Sequence, residues 1–254
     1  MTAAAAPAPS SLAAGLVNAD KSYAYKVILF AIATLADQRD SDTESHLIRV
    51  QHYTRLLAQQ LATNPEFADT LTPAGIEQLI DSIPLYDLGT VGVPDRVLLK
   101  PGRLTSDELA IMRTHPKVGF DALVRAEKTL GQTASWLTVA KELVLSHQEK
   151  WDGTGYPQGL KANQIPATAR IVALADVYDA LISNKVYKDG VPHDAAVGII
   201  FSERGAHFDP DVVDAFMTVH EKFADIAQHH ADTDADMQRK IEYMANAIAE
   251  QAVL

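Results

Sequence analysis

No stretch of this chain alternates apolar and polar residues with period two for long enough to make a half-buried strand; beyond residue 20 its apolar residues recur at spacings of three and four. A chain patterned this way buries its apolar stripes helix against helix, so an all-α bundle is expected. Ser22 to Asp37 is almost continuously apolar, and Leu47, Val50, Leu57 and Leu61 recur at helical spacing between Ser45 and Leu61, which predicts two helices broken around the polar run Gln38 to Thr43. Thr72-Pro73 puts a capping residue before a proline at the first helical position and opens a helix towards Ile83, where Pro84 disturbs it. Thr105 and Glu108 have capping-box spacing, and Pro116 is expected to end or kink the helix they start. Further helices are expected over Ala134 to Gln148, Ala167 to Ser183, His193 to Glu203 and Pro210 to Gln228, the last capped by Asp209.

The pattern divides the chain into a tail, a main domain and a terminal helix. Residues 1–20 are rich in Pro, Ala and Ser and too poor in large apolar groups to order themselves. Residues 21–230 carry the helical patterns of one domain, and residues 231–254 form a C-terminal amphipathic helix with Met237, Ile241, Met244 and Ile248 on one face. That face serves either docking onto the core or self-association into a homodimer; docking is the preferred reading, because such a helix packs on its own domain before it packs on another.

The longest apolar run, Val27 to Leu35, falls far short of the roughly 20 residues a membrane-spanning helix needs. The N-terminus has no basic segment of the secretory kind, so no membrane span and a cytoplasmic location are expected. A formal net charge of -11 argues against binding to a nucleic-acid polymer, and a phosphate-bearing ligand would need a local basic pocket. There is no cysteine, so any metal must rest on imidazoles and carboxylates, a donor set that suits iron or manganese.

Candidate donors are spread along the chain. Asp42 and His46 are one helical turn apart; Asp87 is flanked by apolar residues; His115 precedes Pro116; His147 ends an apolar helix before the loop WDGTGYP; and Asp176 and Asp179 sit three apart on an otherwise apolar helix. Singly, each has an ordinary structural explanation, as a solvated acid, a capping or core histidine, or a turn. In order and with their surroundings they do not. The stretches LADQRDSDTESHLIRVQHYTRLLA, VGVPDRVLLKPGRLTSDELAIMRTH, HQEKWDGTGYPQGL, ARIVALADVYDALIS and FDPDVVDAF resemble the HD-GYP family of cyclic di-GMP phosphodiesterases from Ala31 to about Phe223.

The resemblance implies an HD-domain-like helical bundle with a GYP loop and a site of two or three metals, usually iron or manganese, that opens cyclic di-GMP to pGpG or GMP. By position it assigns metal ligation to Asp42, His46, Asp87, His115, His147 and Asp176, with Asp87 bridging. It aligns Lys185 and Lys188 with the residues that grip the ligand's phosphates, and sets Asp179 and Tyr156 on the ligand side. GGDEF-type cyclases and adaptor proteins are the partners it suggests. Three departures fall in the site. Tyr86 stands for the histidine of the His-Asp pair, Thr90 for the lysine after it, and Gln148 for the second histidine before Glu149. Two metal positions then lose a nitrogen ligand each, and one positive charge is gone. The expectation is a catalytically impaired domain in cyclic di-GMP signalling, with one or two metal ions if any, acting by binding ligand or a protein partner. The alternative is an active phosphodiesterase working with a reduced metal set.

Overall fold

A computed structural model describes residues 24–36, 44–100, 102–131, 135–184 and 189–251; Asp42, Lys185, Lys188 and the N-terminal tail lie outside these. Helix α1 covers 24–36, followed by α2 (Glu44–Leu61), α3 (Pro73–Ser82), α4 (Asp95–Leu98), α5 (Ser106–Met112) and α6 (His115–Leu130). Then come α7 (Ser135–Ser146), α8 (Ala167–Ile182), α9 (His193–Ser202), α10 (Pro210–His229) and α11 (Asp234–Gln251). Among the described residues the only strand-like pairing is an isolated bridge between Arg204 and Phe208, so the all-α expectation holds. No helix among them is long and apolar enough to cross a membrane.

The bundle is organised around α8, which is apolar nearly all round and therefore belongs in the middle. Ala169, Ile171, Val172, Leu174, Ala175 and Tyr178 on it are wholly buried, and α2, α7, α9 and α10 pack against it. Tyr53 of α2 stacks on Phe223 of α10 with ring centroids 4.5 Å apart, and Tyr178 meets Phe223 edge-on at 5.1 Å, so the aromatics lock α2, α8 and α10 together.

Local signals set the ends of the helices. The Thr72 hydroxyl accepts from the Gly75 amide, Thr105 and Glu108 form the full capping box, and the Asp209 carboxylate accepts from the Asp211 amide. Pro116 behaves differently from the expectation. It sits in the first turn of α6, where its missing N–H has no helical partner to lose, so it starts a helix that the sequence reading left unassigned. On α11, Met244 and the stem of Lys240 are buried and α4 is the neighbour, in line with docking on the domain; Ile241, expected on the same face, is instead 42% exposed, and the Ile248 side chain lies outside the described residues.

One ion pair fixes α2 to α8. Asp179 has no exposed surface and takes both prongs of the Arg49 guanidinium, at 2.7 and 2.9 Å. Arg49 also reaches Ser183 at the end of α8 and Asp232 and the His230 carbonyl beyond α10. Burial opposes ionisation of Asp179, but its hydrogen bonds from His46 and Arg49 outweigh that and hold its pKa below the usual carboxylate range. Asp179→Ala strips the buried Arg49 guanidinium of its bidentate partner, leaving Asp232 at 3.2 Å as the acid beside it, and is expected to lower unfolding free energy by about 3 kcal/mol in urea titrations. Because the folded pKa is lowered, the stability from Asp179 is present above the unfolded value of about 3.9 and is lost as pH falls towards the folded one.

Candidate metal centre

Asp87 lies between two tight 3-10 turns, Ile83–Leu85 and Leu88–Gly92, and the second turn is pressed directly onto α6. The approach depends on Gly89: a Cβ there would lie 1.9 Å from the carbonyl oxygen of His115 and 2.7 Å from the amide nitrogen of Gly119. Only a glycine lets the backbones meet, and the contact carries Asp87 to the first residue of α6. His147 arrives from the end of α7. The Asp87 carboxylate then lies 3.1 Å from His147 Nε2 and 3.3 Å from His115 Nε2, and the two Nε2 atoms are 3.2 Å apart. Each imidazole is oriented through its other nitrogen, Nδ1 of His115 by the Met112 carbonyl and Nδ1 of His147 by that of Val144. Both rings are buried while Asp87 keeps some access to solvent.

The electrostatics of the trio favour positive charge at its centre. Burial works against charge on both Asp87 and His147; their hydrogen bond and mutual attraction prevail, holding Asp87 well below the usual range and His147 above its own. A carboxylate and two imidazoles with convergent lone pairs, all within 4.8 Å of one another, fit one transition-metal ion.

The second half of the expected ligand set is arranged otherwise. Tyr86 points into the site with its hydroxyl 2.7 Å from His46 Nε2 and 2.8 Å from Asp176 Oδ1. His46 donates its Nδ1–H to Asp179 at 2.8 Å. The groups form a chain, Asp179, His46, Tyr86 and Asp176, that is satisfied in two ways. Either imidazolium His46 donates to the phenol and the phenol to Asp176, or neutral His46 accepts from the phenol and a protonated Asp176 donates to it. Burial, opposed by His46 and by the hydrogen bond from Tyr86 but aided by Asp87, raises the pKa of Asp176. The phenol thus bridges His46 and Asp176, whose nearest atoms, Nε2 and Oδ1, are 3.6 Å apart.

Beside the trio opens a cavity of about 290 Å³ lined by Arg113, His147, Gln148, Lys150, Tyr156 and Asp176 among others. The Glu149 carboxylate accepts from the amides of Gln158 and Leu160 and folds the GYP loop back on itself, while Gly155 lies so close that a Cβ would fall 2.2 Å from the Lys150 amide nitrogen. Tyr156 is set edge-on to His115 with the Arg113 guanidinium 5.2 Å from its ring centroid, and burial with Asp87 nearby pushes its phenol up to about 12, so it stays neutral. His207, also on the cavity wall, is lowered to about 4 by burial and by Lys150 and is an uncharged ring at neutral pH.

The structure therefore brings together His46, Asp87, His115, His147 and Asp176, with Tyr156 and Gln148 on the cavity wall. Asp179, expected on the ligand side, does not line the cavity: both its oxygens are consumed by Arg49 and His46, and it orients His46 instead. Thr90 turns its hydroxyl onto the Asp87 carbonyl at 2.8 Å. Trp151 packs beneath the Arg170 guanidinium, 5.7 Å from its ring centroid, away from the cavity lining. Arg113 and Lys150 were not singled out from sequence, since neither stands in a spacing that marks a cation as facing inward.

Residues 31–212 match the model of the HD domain family. The chain belongs to that family. Within it, the GYP loop places it among the HD-GYP proteins. It is 50% identical over 210 residues to a probable cyclic di-GMP phosphodiesterase of Vibrio cholerae serotype O1, a match covering 83% of this chain and 48% of that protein. It is 52% identical over 206 residues to a cyclic di-GMP phosphodiesterase of the same organism, covering 81% and 42% respectively. This HD-GYP chain thus spans about half the length of these relatives. Among solved structures, Bd1817, an HDG"Y"P protein of Bdellovibrio bacteriovorus, superposes with a TM-score of 0.53 at 19% identity, covering 78% of this chain and 63% of that one, a likeness of fold.

Two outcomes are expected of the centre. Gly89→Ala forces the turn off α6, so it should cost about 1–3 kcal/mol in thermal or urea unfolding and lower metal retention at the same time. Metal must displace a proton from His147, whose pKa is raised, so manganese affinity should fall as pH drops from about 8 to 6, starting above the pH at which a free imidazole near 6.5 begins to compete. Calorimetric titration across that range checks it.

Proposed function

We propose that this HD-GYP domain acts in cyclic di-GMP signalling as a binding module of weak or absent turnover, holding a single iron or manganese ion at Asp87, His115 and His147. The observation that carries the proposal is the Tyr86 hydroxyl, within hydrogen-bond distance of both His46 and Asp176. With a phenol there, His46 and Asp176 are engaged with each other through it. A neutral phenol is a poor ligand for a divalent ion, and Gln148 offers an amide where an imidazole would complete a second coordination shell.

The chemistry of the pathway makes this costly for hydrolysis. A bound metal ion supplies Lewis acidity to a phosphoryl oxygen, and a paired ion normally stabilises the leaving oxygen as well. Loss of one such stabilising group typically costs about two to three orders of magnitude in rate. Here the second ion and the cation replaced by Thr90 are both missing from the donor set. The binding groups are better provided. Arg113 and Lys150 supply positive charge at the cavity wall, Tyr156 a ring for a guanine face, and Lys185 and Lys188 are the proposed phosphate-gripping residues. The names of the relatives support cyclic di-GMP as the ligand.

On this reading residues 21–230 are the signalling domain, residues 231–254 a docked helix, and the output passes through ligand occupancy to a protein partner of GGDEF or adaptor type in the cytoplasm. The test is direct. Protein reconstituted anaerobically with ferrous iron or manganese is incubated with cyclic di-GMP and the nucleotides are separated by chromatography. Intact cyclic di-GMP is expected, with one iron or manganese ion that Asp87→Ala removes, and nucleotide binding lost in Lys185→Ala/Lys188→Ala. Formation of pGpG or GMP that disappears in Asp87→Ala would sink the proposal in favour of an active phosphodiesterase. Tyr86→His should raise the metal content from one equivalent towards two.

A further inference from the structure

A second set of donors lies on the other side of α8. His193, the first residue of α9, and His220 and Glu221 on α10 bring one donor atom each to within 4.8 Å of the others. The two imidazoles face edge to edge, their planes 22° apart, with His193 Nε2 3.1 Å from His220 Nδ1. Two nitrogens bound to a tetrahedral ion at about 2.0–2.1 Å stand roughly 3.3–3.4 Å apart, so the pair needs only a slight opening to take one. Both rings are positioned by neighbours. The hydroxyl of the buried Tyr178 lies 2.8 Å from His193 Nδ1, the contact by which a metal-bound imidazole is commonly held in its tautomer, and Phe216 packs against His220. Glu221 is exposed and long enough to swing its carboxylate onto an ion, and the half-exposed rim leaves a position for water.

We propose that His193, His220 and Glu221 form a second metal site for a divalent ion of the zinc type, separate from the Asp87 centre. Two imidazoles and one carboxylate select a borderline transition metal over magnesium or calcium, which prefer an all-oxygen shell. The net charge of -11 favours cation capture at an open rim. An ion there ties the start of α9 to α10 and, through Tyr178, to the central helix. It would brace the fold and carry no chemistry.

Zinc titration of the full chain tests the proposal. In an Asp87→Ala/His147→Ala background, which disables the first centre, about one equivalent of zinc should still bind and raise the melting temperature. Adding His193→Ala/His220→Ala should abolish both effects. Tyr178→Phe, which keeps the buried ring, should weaken zinc about 10–100-fold, as loss of an orienting partner does. Failure of the first background to bind zinc, or zinc retained after His193→Ala/His220→Ala, overturns the site. Should the four-fold variant not fold, His193→Ala/His220→Ala in the otherwise unchanged chain must lose one of the bound equivalents; an unchanged stoichiometry refutes the site equally.

Discussion

The pairing of Asp179 with Arg49 and His46 is the contact on which the rest of the structure depends. A carboxylate with no solvent could not remain charged in the middle of a bundle without partners that replace its hydration. Arg49 supplies a planar fork that fits both oxygens and still has donors left for the end of α8 and the turn after α10. His46 donates to the oxygen that also accepts from Arg49 Nη2 and, at 3.2 Å, from Ser183. One interaction therefore sets the distance between α2 and α8 and, in the same stroke, turns the Nε2 of His46 towards Tyr86. Fold and site share this joint on the His46 side, while the trio of Asp87, His115 and His147 is set by Gly89 against α6.

Most of the fold was legible because helix periodicity, caps and prolines act locally. Thr72, Thr105 and Asp209 do what their side-chain chemistry requires within three residues of themselves. Pro116 was misread because the same residue that breaks a helix interior begins one at its first turn, and only the end of α5 at Met112 decides between the two. Ile241 points outward although it lies on the apolar stripe, because α11 meets the domain over a short contact at α4.

The site was legible in its members and less so in their roles. His115 and His147 came from positional resemblance, and the tertiary contact that unites them, Gly89 against α6, is a long-range approach that no local spacing reveals. The resemblance sets Asp179 on the ligand side with Asp176, about 60° away around α8, but Arg49 and His46 draw its carboxylate into the bundle interior. Whether Tyr86 faced the site could not be read from sequence, since a buried tyrosine is as often packing as polar. Its hydroxyl needs partners, and His46 and Asp176 are the ones within reach.

The phenol of Tyr86 has a consequence for the life of the protein in a cell. An imidazole, a phenol and a carboxylate already paired with one another are held by the chain alone, so on the function proposed above their arrangement should be indifferent to a chelator. His46, Tyr86 and Asp176 keep their arrangement with a proton alone.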